Sequence, residues 1–168
     1  MTAYQSYPKF FVSVDCIIFG FAEGRLKVLV HQRPYEPGMG EYSLIGGFVQ
    51  SNESVNSSAK RILKEFTGLD KVYMQQLAVY GEVERDPGER VISIVYYALV
   101  NVDNYDSSLS DIHNAKWVDV DNMPALCFDH NDMVQKARRM IGETIKNKPI
   151  GSNLLPRYFT LSSLQTLY

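Results

Sequence analysis

Two apolar, β-branched runs, Phe11 to Phe21 and Leu26 to His31, are separated by Ala22-Glu23-Gly24-Arg25. Runs of that composition around a short glycine-containing break predict a β-hairpin. From Arg33 to Glu41 the pattern lapses, and two prolines and two glycines mark a long loop. A short strand over Tyr42 to Leu44 then leads into Gly46-Gly47-Phe48-Val49. Between Ser54 and Phe66 the apolar positions Val55, Ala59, Ile62, Leu63 and Phe66 recur at helical spacing, and Gly68 supplies a C-terminal cap. Val72 to Glu84 and Arg90 to Val102 read as strands joined across Asp86-Pro87-Gly88, a strong turn signal. Lys116 to Val120 is a further short strand, and Met133, Ala137, Met140, Ile141 and Ile145 predict a second long helix ending near Lys148-Pro149. The tail carries one more apolar series, Leu154, Leu155, Phe159, Leu161, Leu164, Leu167 and Tyr168, with Thr160 placed to cap a helix of little more than two turns. A helix that short is marginal unless its apolar face is packed. It is therefore expected either to dock on the main domain or to begin another one.

At 168 residues the chain suits one domain with a sizeable core. A formal charge of -2 gives no basic excess pointing to nucleic acid, so bulk charge does not choose the ligand. Met1 to Phe11 contains no cationic segment followed by a long apolar run, and Val91 to Val100 falls well short of the roughly 20 residues that span a bilayer. No membrane association is expected. Cys16 and Cys127 lie in apolar surroundings and read as small core side chains in a reducing compartment, with the cytoplasm as the default location.

The candidate chemistry starts at Gly47. Five residues separate it from Glu53 and seven more lead to Arg61, followed by Ile62-Leu63-Lys64-Glu65-Phe66-Thr67-Gly68-Leu69. This resembles the Nudix box, G-x5-E-x7-R-E-U-x-E-E-x-G-U with U aliphatic, and every spacing is kept. Gly40-Glu41-Tyr42-Ser43-Leu44-Ile45-Gly46-Gly47 is similar to the family's preceding G-x-W-x-L-P-G-G, with Tyr42 and Ile45 in place of tryptophan and proline. The resemblance implies an α/β Nudix fold, a mixed β-sheet sandwiched between α-helices. In active family members three glutamates of the R-E-U-x-E-E segment ligate magnesium ions that bridge a pyrophosphate, and magnesium requires such oxygen ligands. Here the first glutamate is Ile62 and the third is Phe66, leaving Glu65 alone. The box is then a remnant, Gly47, Glu53, Arg61, Glu65 and Gly68, with no catalytic or metal-binding residue expected. Arg61 and Glu65 stand four apart on one helix face and suit an ordinary surface ion pair or support of the loop, and Glu53 suits a loop anchor accepting hydrogen bonds from backbone amides. Glu82, Glu84 and Glu89, near the far strand pair, are the residues from which a metal site would have to be rebuilt.

Three further segments narrow the resemblance: Tyr80 to Tyr97, Ala125-Leu126-Cys127-Phe128-Asp129-His130, and Leu155 to Tyr168. They look like the Nudix-related transcriptional regulators, which join a Nudix-like effector domain to a C-terminal winged helix-turn-helix and sense ADP-ribose or pentoses such as arabinose. The resemblance implies a Nudix-like effector-binding domain over residues 1–150, with 151–168 as linker and start of the winged domain. It also implies a small-molecule effector, a homodimer, DNA contacts through the C-terminal domain, and no cofactor unless the chain is a magnesium-dependent hydrolase. The candidate ligand-binding residues are Arg33, Glu41, Arg85, Asp86, Tyr96, Asp129 and His130. Arg33 offers a rigid fork of donors at a strand end. Arg85 and Asp86 are open to reading as solvated turn charges, and Asp129 and His130 as caps of the helix beginning near Asn131. Of Tyr96 and Tyr97, which alternate faces of a strand, one is expected to line the cleft and the other to pack in the core. Two other functions compete with the sensor: a magnesium-dependent pyrophosphatase using Glu53 and Glu65, and a purely structural dimerisation module.

Overall fold

The computed structural model describes residues 2–147. Its first two strands, β1 (Phe11–Ala22) and β2 (Arg25–Gln32), form the expected hairpin, with Ala22 paired to Arg25. The two turn residues, Glu23 and Gly24, have φ of 54° and 71°. Two positive φ values in succession give a turn whose twist matches that of the flanking strands.

Strand β3 (Tyr42–Phe48) runs longer than the sequence pattern predicts, because β1 pairs with it from Ser13 opposite Phe48 to Cys16 opposite Ile45. Helix α1 (Val55–Thr67) begins where Ser54 accepts a hydrogen bond from the Ser57 amide, and ends where Gly68 adopts φ 74°. Both caps relieve backbone groups that a helix end leaves unpaired. Strands β4 (Tyr73–Tyr80) and β5 (Val91–Val100) flank a ten-residue stretch, 81–90, that contains no regular element. The expected continuation of β4 to Glu84 is thus absent. A short helix α2 (Ser108–His113), not anticipated from the sequence, precedes β6 (Ala115–Asp119), and α3 (His130–Asn147) closes the described chain. The tail expected over 151–168 lies outside the described residues.

The strands form one sheet in the order β4-β5-β1-β3-β2-β6. Its β1–β5 pair is parallel and its other ladders antiparallel, so the sheet is mixed. Side chains alternate across β1: Val14, Cys16 and Ile18 pack with Ala59, Ile62, Leu63 and Phe66 of α1, whereas Ile17, Phe19 and Phe21 pack with Met133, Val134, Ala137 and Ile141 of α3. This is the helix–sheet–helix arrangement expected of the fold. Each large apolar side chain buried in these seams contributes about 1.5 to 3 kcal/mol.

Candidate functional site

Five segments meet at one end of the sheet: β1 near Asp15, the end of β2 with Arg33, the Gly46-Gly47 stretch of β3, the 81–90 loop, and the start of α3. They enclose a cleft with two chambers that share His31, Arg33, Pro34, Tyr35, Gly46 and Gly47. The inner chamber, of about 150 Å³, adds Ser13, Asp15, Ser43, Arg85, Asp86 and His130. The outer one, of about 420 Å³, is bounded by Arg61, Ile62, Glu65 and Phe66 from α1 and by Ile112 and His113.

The paired glycines open the sheet on both faces. A Cβ on Gly46 would lie 2.5 Å from Asp15 Oδ1 and 2.8 Å from the Val14 carbonyl oxygen, and one on Gly47 would press on Ile62 at 3.3 Å. Any side chain at Gly46 would therefore displace the buried carboxylate.

A polar network forms the inner floor. Arg85 donates from Nε and Nη2 to the two carboxylate oxygens of Asp129 at 2.8 and 2.7 Å, and its side chain is only 3% exposed. Burial works against its charge, but hydrogen bonding to Asp129 and the charges of Asp129 and Asp15 outweigh this and hold its pKa up. The Leu44 amide donates to His130 Nδ1 at 3.1 Å, which makes that nitrogen an acceptor and puts the ring proton on Nε2. Burial, the largest influence, lowers the His130 pKa and favours this neutral ring. Asp15 accepts from the Ser93 hydroxyl at 2.5 Å through Oδ2, while Oδ1 lies 3.7 Å from His130 Nε2.

Arg33 stands in a different situation. Its Nε donates to the Pro37 carbonyl at 2.7 Å, and its guanidinium carbon lies 5.5 Å from the Tyr35 ring centre and 5.0 Å from that of Phe128. Its terminal nitrogens make no hydrogen bond among the described residues. The aromatic faces hold the planar cation, which lines both chambers.

The box remnant has become structural. Arg61 donates to both carboxylate oxygens of Glu53, at 3.0 and 2.6 Å, and to the Phe48 carbonyl at 3.2 Å. Glu53 also accepts from the Gln50 amide at 3.0 Å, as expected of a loop anchor. Hydrogen bonding to Arg61, then to Gln50, lowers the Glu53 pKa to about 2. The partner of Arg61 is therefore Glu53, and not Glu65 as the helical spacing suggests. Glu65 is exposed at the rim of the outer chamber. Ile62 is 1% exposed in the α1 seam, and Phe66 stacks on His113 at 4.2 Å between ring centres and meets His31 edge-on at 5.4 Å. Burial, with Arg33 close by, lowers the His31 pKa to about 4, so this aromatic cluster carries no His31 charge at neutral pH. These residues do not fit a magnesium ion: the box supplies one exposed carboxylate, Glu82, Glu84 and Glu89 are exposed outside both chambers, and no three acidic, His or Cys side chains converge among the described residues.

Arg33, Arg85, Asp86 and His130 are thus brought together, with Asp129 bound to Arg85 beside them. Two expected ligand residues stand elsewhere. Glu41 is exposed on the loop and lines neither chamber. Tyr96, 3% exposed, lies in the α1-side core with its hydroxyl donating to Asn56; Tyr97 is buried on the opposite, α3 side, so neither tyrosine of the pair lines the cleft. Asp129 does not cap α3 with its side chain, which Arg85 engages instead. Sequence reasoning passed over Asp15, Ser43 and Phe128. A lone acid inside the apolar run Val14 to Phe19 is the signal that marks Asp15.

Comparison with known proteins agrees with this architecture. Over 98% of this chain and 67% of its own length, the ADPR responsive transcriptional repressor NtrR of Acinetobacter baylyi is 32% identical. An ADP-ribose pyrophosphatase of Methanocaldococcus jannaschii is 35% identical over 81% of this chain and 78% of its own. Among solved structures, Shewanella oneidensis NrtR in complex with a 27mer DNA superposes with a TM-score of 0.84 at 28% identity, covering 93% of this chain and 73% of that one. The NUDIX domain of the same protein with ADP ribose gives 0.67 at 26% identity, covering 83% and 99%. A family model for the NUDIX domain matches residues 9–141, from just before β1 into α3, and with the sheet order and box spacing described above it shows that the chain belongs to the NUDIX family.

Proposed function

We propose that this chain is the effector-sensing NUDIX domain of a transcriptional regulator and that its cleft takes ADP-ribose. The observation that carries the reading is the fate of the box. The cleft is intact, yet two of its three metal-binding carboxylates are replaced by Ile62 and Phe66, both packed into the α1 seam. Arg33 supplies a fixed cation with unpaired donors where a ligand's phosphates would need neutralising. Relatives named for an ADP-ribose response and for an ADP-ribose complex support the choice of ligand.

The test is a thermal-shift panel of ADP-ribose, NAD, arabinose and other pentoses. A ligand bound only by the folded chain stabilises it by about 2.7 kcal/mol at a hundredfold excess over Kd. ADP-ribose is expected to raise the Tm more than any other member of the panel. No shift with ADP-ribose and a clear one with a pentose would replace the effector, and no shift with any would favour the structural module.

The hydrolase reading is favoured by the identity to the pyrophosphatase. AMP release from ADP-ribose at about 1 per second or faster, abolished in Glu65→Gln, would establish it. The sensor reading also includes a homodimer, a cytoplasmic location, and DNA contacts through a winged domain beginning in 151–168. Similarity to the DNA-bound relative supports the last of these. An exposed aromatic surface around Tyr7, Phe10, Phe11 and Phe48 supports a second copy as partner.

A further inference from the structure

We propose that Asp15 selects the ligand, its carboxylate accepting hydroxyl hydrogens from the terminal sugar while Arg33 faces the phosphates. This rests on the effector reading above and assigns the orientation of the ligand within the same cleft. Asp15 is 7% exposed and lines the inner chamber. Burying a carboxylate is costly unless its lone pairs find donors. Only Oδ2 has one among the described residues, the Ser93 hydroxyl at 2.5 Å. Oδ1 has none: His130 Nε2 is 3.7 Å away, beyond hydrogen-bond distance. The nearest Arg85 nitrogen lies 3.9 Å from Oδ2 and is committed to Asp129. The strand beside Oδ1 is glycine, and a Cβ there would stand 2.5 Å from that oxygen. An acceptor with open lone pairs therefore faces a small cavity.

The charges around it choose the group that enters. Asp15 and Asp86 line the inner chamber, Asp129 adjoins it, and its arginine, Arg85, is already neutralised. A phosphate placed there would meet carboxylates; a neutral donor would meet acceptors, with Ser13 and Ser43 beside them. Arg33, on the boundary of both chambers, holds the unpaired cationic donors. A ligand with phosphates in the middle and a sugar at one end fits that order, sugar innermost. At about 150 Å³ the inner chamber is large enough for a single sugar ring, and its acceptors, not its size, favour the sugar.

The experiment is calorimetry of the wild-type chain and Asp15→Asn with ADP-ribose and with ADP, which lacks the terminal sugar. Asparagine keeps the shape but removes the charge, and with its oxygen accepting from the Ser93 hydroxyl it presents an NH2 donor where the ligand needs an acceptor. The wild type is expected to prefer ADP-ribose by at least tenfold, the scale of a hydrogen bond to a charged group, and Asp15→Asn to lose that preference, by weaker binding of ADP-ribose and equal or tighter binding of ADP. Equal binding of both ligands by the wild type, a preference retained in the variant, or equal weakening of both ligands would each overturn the proposal, the last by making Asp15 structural or placing the base there. Wild-type chain that binds neither ligand would overturn the effector reading and this proposal together, whereas the other failures leave that reading standing. Deoxy analogues of the terminal ribose test the same contact without a substitution. At least one should lose tenfold on the wild type, and unchanged affinity for all of them would overturn the assignment even where Asp15→Asn fails to fold.

Discussion

Arg33 and Arg85 stand in one cleft, but only Arg85 has a carboxylate partner. Replacing it with alanine would leave Asp129 without its bidentate donor and Asp15 without a neighbouring cation, in a place where Arg85 itself is 3% exposed. Breaking such a buried pair costs about 3 kcal/mol, the lower end of the range, because Asp129 is 24% exposed. Arg85→Ala is therefore expected to shift the denaturant midpoint strongly. Arg33→Ala should leave that midpoint nearly in place and weaken ADP-ribose binding by about 1 to 3 kcal/mol in calorimetry. The reverse pattern would exchange their roles. The Glu53–Arg61 pair makes a separate, pH-dependent statement. Its folded-state pKa of about 2 lies below the ordinary value of 4.5, so its stabilisation is present above 4.5 and disappears as pH falls from there toward 2. In urea titrations across that window, Glu53→Gln should flatten the acid loss of stability relative to wild type. An unchanged slope would mean that other carboxylates carry it. Of these side chains, only the types and spacings were legible beforehand. The arginine of the box was visible, but its partner was not, because a four-residue helical spacing to Glu65 competes with a loop contact eight residues back that only the folded Gly47–Ser54 loop creates.

At the level of elements, local signals succeeded where local forces decide. The Glu23-Gly24 turn and the Ser54 and Gly68 caps of α1 were readable because each satisfies its own backbone within a few residues. The extent of β4 was not. Its apolar pattern continues through Val83, which is 69% exposed, and the chain departs because Arg85 turns inward to a carboxylate 44 residues away. Likewise β3 continues through two glycines because β1 pairs beside it, and the choice between Tyr96 and Tyr97 failed because alternation fixes opposite faces without saying whether either reaches the cleft. Helix α1 shows what the altered box did to the element itself. Ile62, 1% exposed, sits against Gly47 and inside a seam with Val14, Cys16 and Leu63. Restoring the family's glutamate by Ile62→Glu would bury a carboxylate with no cation in that seam. A loss of about 3 kcal/mol or more, read from urea denaturation, is expected. A variant as stable as wild type would show that the glutamate escapes to the outer chamber, and would reopen a metal site there.

For the molecule as a whole, the cleft is assembled from β1, β2, β3, the 81–90 loop and α3, so no single motif announces it. The box was legible as a spacing, and the family with it, and Arg33, Arg85, Asp86 and His130 of the inner chamber were named beforehand, but Asp15 and Ser43 were not, because they are far from the others in sequence and ordinary in isolation. The same assembly decides how the ligand's charge is met. A magnesium-dependent site needs several oxygen ligands in near-octahedral order. Here the one surviving glutamate of the R-E-U-x-E-E segment, Glu65, is exposed at the rim, Glu53 is taken up by Arg61, and no acidic cluster among the described residues replaces the others. The cations facing the cleft belong to side chains instead, with Arg33 clamped by Tyr35 and Phe128 at the junction of the chambers. ADP-ribose is therefore expected to bind with the same affinity, to within about twofold, in excess chelator and in excess magnesium. Raising salt should weaken it, since part of the attraction is between an exposed phosphate and arginine. Isothermal titration under the three conditions checks both. Affinity that rises tenfold or more with magnesium, and loses that rise in Glu65→Gln, would mean that the remnant still holds a metal and that the cation at the cleft is not Arg33 alone.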